Sequence, residues 1–124
     1  MKRLILRSWI TLFKVGMLTR LRGFKGLHRM VRTQQLRRAA GTTPSIEDLC
    51  HAMDLACVFY FRTVSSLERS AATTLMLRRY GRRAEMVIGL QVLPMDSHTW
   101  VEIDNRIVND KPNLLEIYQI LERC

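Results

Sequence analysis

The stretch from residue 65 to residue 110 limits what this chain can become more than any other, because a helix marked at both ends runs directly into strands. Ser65 and Glu68 form an S-x-x-E capping box, and Gly81 supplies the left-handed residue that closes the same helix. Ser66 therefore falls in the first turn, where free backbone N–H groups and the positive end of the helix dipole favour an anion. A nucleophile is well served there. Residues 84–92 then read as a strand rich in β-branched and apolar types, and 98–103 alternate as a second. Asp104-Asn105 is a hairpin turn signal, 106–109 a third strand, and 113–121 a short amphipathic helix. Helices first, then one helix feeding an antiparallel sheet, make an α+β arrangement with N-terminal helices and the capped helix packed on a small antiparallel sheet.

The earlier helices carry the charge. Residues 1–46 hold 11 Lys or Arg and no acid, so the whole excess behind the net charge of +9 lies in the first third. Leu4, Trp9, Leu12, Phe13, Val15, Leu18 and Leu21 recur at helical intervals with bases among them, the pattern of one or two amphipathic helices. Gly23 and Gly26 loosen this segment, and residues 27–40 continue as a weaker, strongly basic helix. Thr42-Thr43-Pro44-Ser45-Ile46-Glu47 reads as a helix start with a Thr cap and Pro at the first helical position, leading into a largely apolar helix that ends before Thr63. The 124 residues suit a single domain, with a basic helical region over 1–42 and a core over 43–124. Arg7 and Lys14 interrupt the first apolar run, which falls short of the ~18 apolar residues of a spanning helix, so a cytoplasmic protein is expected.

Three cysteines, Cys50, Cys57 and Cys124, show neither disulfide-framework nor metal-ligand spacing. Cys50 and Cys57 lie seven apart, which is core spacing on a helix, and His51 beside Asp54 reads as a surface residue. No cofactor and no metal site is expected.

The chemistry-bearing candidates are Ser66, His98 and Asp110. Singly, each has an ordinary reading as a cap-region serine, a strand-end histidine and a turn acid. The hairpin supplies a geometric test. A strict two-residue turn at Asp104-Asn105 pairs Ile103 with Arg106 and His98 with Lys111, turning Asp110 away from His98. A three-residue loop with a bulge pairs Ile103 with Ile107 and Trp100 with Asp110, on the His98 face. The bulged form, or an equivalent irregularity, is expected; Asp104 and Asp96 are the reserve acids.

The run SLERSAATTLMLRRYGRRAEMVIGLQVLP followed by SHTWVEIDNRIVND resembles the transglutaminase-like cysteine proteases of lasso peptide biosynthesis, the leader peptidases or B proteins. That family joins a Cys-Leu-x-Arg-Ser helix start and an Arg-Arg-x-Gly helix end to an apolar strand ending in Ile-Gly, then His-Ala-Trp-Val-Glu and Asn-Asp. The likeness runs from about Leu12 to the C-terminus. By this resemblance His98 is the catalytic imidazole, Asp110 its orienting acid, and Ser66 stands where the family has its nucleophilic cysteine. Leu67, Arg69, Ser70, Gly81, Gly89, Trp100 and Glu102 are all kept, which speaks for a single Cys-to-Ser exchange, engineered in preference to natural, and not for a decayed site.

The resemblance implies a transglutaminase/papain-like core and a leader peptidase acting on a ribosomally made lasso precursor, silent with serine at position 66. It further implies a separate RiPP recognition element protein that holds the leader and a lasso cyclase that takes the product. A second class of function is a small basic protein that binds nucleic acid or anionic membrane through residues 2–38 without catalysis. Trp9, Phe13 and Phe24, the aromatics of that segment, suit packing better than base stacking, so nucleic acid is not expected. A natural serine hydrolase or transferase is the third.

Overall fold

A computed structural model describes residues 1–36, 43–92 and 94–124. The elements run α1 (Lys2–Thr33), α2 (Ile46–Val58), α3 (Ser66–Arg79), β1 (Ala84–Gln91), β2 (Asp96–Ile103), β3 (Arg106–Ile107), α4 (Leu114–Ile117) and β4 (Gln119–Arg123). The four strands form one antiparallel sheet in the order β3-β2-β1-β4. α3 lies between this sheet and the pair α1 and α2, in agreement with the α+β reading.

The position of α3 explains its composition. Ser70, Ala71, Ala72, Thr73, Thr74, Met76 and Leu77 are all buried, so neighbours close on the helix from several sides. Small side chains let them approach, and each buried hydroxyl has an acceptor: Ser70 donates to the Thr99 carbonyl at 2.8 Å, Thr73 to that of Arg69 at 2.7 Å and Thr74 to that of Ser70 at 2.8 Å. The helix ends as its sequence prescribes. Ser65 Oγ accepts the Glu68 N–H at 3.1 Å, and Gly81, at φ 82°, closes a Schellman pair in which Arg82 N–H bonds Leu77 and Gly81 N–H bonds Arg78.

The main core lies between the helices and one face of the sheet, with Leu12, Val15 and Leu27 of α1 and Leu49 and Met53 of α2 packed with Met76, Leu77, Met86 and Val101. A smaller cluster of Val87, Trp100 and Leu114 covers the opposite face. The alternation of a strand divides them, Val101 facing the helices and Trp100 the other way.

Several expectations are corrected. The helix expected over 113–121 is a single turn followed by β4, because Tyr118 and Ile120 alternate with polar residues and the free edge of β1 offers them a ladder. The pairing skips a residue between Ile88 and Gly89. α1 is one run broken at Gly23, whose φ of 67° and ψ of −166° leave the helical region, whereas Gly26 stays helical. α2 is capped by Ser45, which accepts the Asp48 N–H at 3.0 Å, so Pro44 precedes the cap where it was expected to follow one. The basic helix expected over 27–40 ends at Thr33, where Gln34 turns to extended backbone, and Thr42 and residues 37–41 lie outside the described residues. The third strand stops at Ile107, two residues early.

Candidate active site

The turn joining β2 to β3 is the two-residue form. Asp104 and Asn105 sit at φ 51° and 62°, both left-handed, and Ile103 pairs with Arg106. This corrects the bulged hairpin, and a ladder continued in this register would turn Asp110 away from His98. The ladder does not continue. Val108 N–H still reaches the Val101 carbonyl at 3.0 Å, but the Val101 N–H is taken by Asn109 Oδ1 at 2.8 Å in place of a backbone carbonyl. Arg69 of α3 draws the Asn109 carbonyl at 2.7 Å, and Asn109 Nδ2 lies 3.4 Å from Ser70 Oγ. The chain thus leaves the sheet at Asn109 and swings Asp110 back. His98 Nε2 and Asp110 Oδ2 are 2.7 Å apart.

A carboxylate only accepts, so Nε2 carries the hydrogen of this bond and Nδ1 is left as the basic nitrogen. Burial raises the Asp110 carboxyl, but the hydrogen bonds from His98 and from the Lys111 N–H, with the charge of Arg69 behind them, hold it below its ordinary value. The acid stays ionised and fixes the imidazole tautomer. Asp96 and Asp104 are placed otherwise: Asp96 accepts from Tyr118 Oη at 3.2 Å and Asp104 is exposed in the turn.

The imidazole is also held by rings. Tyr118 stacks on His98 with centroids 5.5 Å apart, and Trp100 lies 6.2 Å away. Trp100 is buried, its indole N–H donating to Glu102 Oε2 at 2.9 Å, and the buried Glu102 meets Arg123 of β4 at 3.3 Å. Gly89, which pairs with His98 across the ladder, makes room for this stack. A Cβ there would lie 2.6 Å from the Trp100 ring and 2.9 Å from Tyr118 Cβ. Tyr118 and Asn109 are site residues that sequence reasoning missed. The spacing over 113–121 places Tyr118 on a helix, and no local signal ties Asn109 to Val101.

Ser66 is the first residue of α3, half-buried, and takes no part in these bonds. The first helical bond runs from Arg69 N–H to Ser65, and Ser65 Oγ satisfies Glu68 N–H, which leaves the N–H groups of Ser66 and Leu67 without intrahelical acceptors. Glu68 in turn binds Arg62 at 2.7 Å and receives the Ser65 hydroxyl at 3.2 Å. One turn on from Ser66, on the same side of the helix, Ser70 grips Thr99, the neighbour of His98. The structure therefore joins His98 to Asp110 and anchors both to the first two turns of α3, while Ser66 stands at the start of that helix outside the hydrogen-bonded pair.

The cysteines are not prepared for nucleophilic work. Burial, with Asp54 adding and Arg69 opposing, pushes the Cys50 thiol up to about 11, and burial is also the leading cause of the raised values of Cys57 and Cys124. His51 is exposed, as its sequence neighbours suggested. Away from the site, His28 of α1 and Glu122 and Cys124 at the end of the sheet bring potential metal-ligand atoms within 4.8 Å of one another. Each has a protein partner: His28 meets Glu122 at 2.9 Å, and the Cys124 thiol donates to the Met86 carbonyl at 3.5 Å. Among the described residues no helix is long and apolar enough to cross a membrane.

Residues 10–123 match the family model described as the transglutaminase-like superfamily. The microcin J25-processing protein McjB of Escherichia coli is 30% identical over 70 residues, covering 55% of this chain and 34% of McjB, so the chain spans about a third of the length of that curated relative. No solved structure matches. A family match over nearly the whole chain, on a capped helix, a histidine strand and a returning acid, shows that the chain belongs to the transglutaminase-like superfamily.

Proposed function

We propose that this chain is a leader peptidase scaffold that cuts a ribosomally made precursor peptide of the lasso class, with residue 66 as nucleophile. The observation that carries the reading is the 2.7 Å His98–Asp110 pair, tied by Asn109, Arg69 and Ser70 to the helix that begins at Ser66. The similarity to a microcin-processing protein supports the substrate class. In the reaction, residue 66 attacks the scissile carbonyl while His98 Nδ1 takes its proton. The tetrahedral oxyanion is met by the N–H groups at the start of α3, and collapse breaks the C–N bond as His98 returns the proton to the departing amine. Water then repeats the sequence on the acyl-enzyme. Asp110 keeps Nε2–H in place throughout.

The nucleophile decides the rate. A thiol near ~8.5 is converted to thiolate by a neighbouring imidazole and a helix N-terminus, whereas a serine hydroxyl must lose its proton during attack. We infer that Ser66 leaves the scaffold nearly silent and that Ser66→Cys activates it. The proposed partners are a separate leader-recognition protein and a cyclase that consumes the product. The test is cleavage of precursor peptide by Ser66→Cys with its recognition protein, followed by mass spectrometry; a leader left intact under conditions where the variant is folded overturns the reading.

A further inference from the structure

The basic helix has a second apolar face that the fold does not use. Leu12, Val15 and Leu27 pack into the core, yet Leu6, Ile10, Phe13, Met17 and Leu21 are exposed, from 41% at Met17 to 76% at Leu21. Their spacings of four, three, four and four residues align them in a stripe about 22 Å long, on the side of α1 away from the core. Trp9 stacks under Phe13 at 5.9 Å with rings nearly parallel, and Phe61 lies against Trp9 at 6.4 Å, so aromatic rings continue the stripe toward the loop after α2. Exposed Lys2 and Arg20 border it on one side and Arg3 and Lys14 on the other, with no acid anywhere in residues 1–46.

We propose that this stripe is the docking seam for an acidic amphipathic helix of a partner protein. The width of the face selects a helix. The stripe covers roughly 80° of arc between its basic borders, the narrow seam of helix pairing, whereas a helix that lies in a membrane presents a broader apolar side. The charge selects the sign. Two copies of α1 would bring like-charged borders together, and an acidic partner meets bases on both sides. On the buried side of the same turn, Gly16 lies against Arg62 and Glu68, so the turn of α1 that carries Phe13 and Met17 packs on the start of α3. The inference stands apart from the hydrolytic reading, since it concerns a surface that exists with serine or cysteine at position 66.

The test uses the full chain and a labelled 21-residue helical peptide with Leu at heptad positions a and d and Glu at e and g, against a scrambled peptide of the same composition. Fluorescence anisotropy should show saturable binding of the patterned peptide only. Ile10→Gln with Met17→Gln should weaken it by about a hundredfold, each lost seam contact accounting for about tenfold. Lys14→Glu with Arg20→Glu, which keeps the seam apolar, should weaken it at least ~tenfold at low salt and much less at high salt. Leu121→Ser, at an exposed leucine of β4, should leave it unchanged. Equal binding of both peptides, binding insensitive to the seam variants, capture by phosphatidylglycerol vesicles in place of the peptide, or a dimer that the seam variants dissolve would each overturn the proposal.

Discussion

Asn109 is where the geometry of the site is most exposed to a single change. Replacing it with alanine removes the acceptor of the buried Val101 N–H, 2.8 Å away, and the long contact to Ser70, while the backbone carbonyl that Arg69 grips remains. An orphaned buried backbone donor costs about 1–3 kcal/mol, and the small void adds a fraction more. The chain has one way to relieve this. Residues 108–110 can settle into the regular ladder, so that the Val108 carbonyl accepts from Val101 and the stability loss falls below about 1 kcal/mol, but the register then carries Asp110 off His98. Either branch is measurable. Without relaxation, Asn109→Ala lowers the thermal midpoint by about 3–5 °C per kcal/mol lost in a domain of this size. With relaxation, the midpoint holds but the peptidase activity proposed for the Ser66→Cys form falls about a hundredfold or more in kcat/KM, as expected when a histidine loses its orienting acid. A variant that keeps both the midpoint and the rate of its parent refutes the role assigned to Asn109.

Three further outcomes follow from the same structure. Gly89→Ala forces a methyl group against the Trp100 ring and Tyr118, and should cost about 1–3 kcal/mol in urea denaturation with a slower Ser66→Cys peptidase; unchanged values for both would show that the ring stack yields freely. Asp110, whose carboxyl is held below its ordinary value of 3.8, contributes stability that is present above that value and is lost as pH falls through the lower folded value. Asp110→Asn should therefore destabilise at pH 7 and lose its difference from the parent in strong acid, a pattern read by denaturation across that range. Cys50, with its thiol pushed up to about 11 and its side chain buried, should resist iodoacetamide in the folded protein at neutral pH and react on unfolding; rapid alkylation of the native protein at Cys50 contradicts the packing of α2.

Local chemistry determined a large part of this protein. The Ser65 and Glu68 start, the Gly81 closure and the break at Gly23 rest on contacts within a few residues, and the structure shows each of them, whereas Asp104-Asn105 marks a turn without choosing its two-residue form over the bulged one. The resemblance quoted a set of residues without saying what they do. Gly89, Trp100, Glu102, Arg69 and Ser70 form the support around His98 and the returning acid. Such a support is visible only once separate elements meet.

What the tertiary structure alone decided is which backbone groups and which faces find partners. Residues 119–123 have both helical spacing and strand alternation, and the free edge of β1 settles them as β4. The two-residue turn by itself sends Asp110 away from His98, and it takes Asn109 capturing the Val101 N–H, with Arg69 pulling from α3, to bring the acid back. On α1, periodicity marks apolar positions without assigning them, and burial separates the side that makes the core from the stripe left open. A net hydrogen bond is worth about 1 kcal/mol and a domain is only marginally stable, so hydrogen bonds and contacts from residues distant in the chain can determine such outcomes.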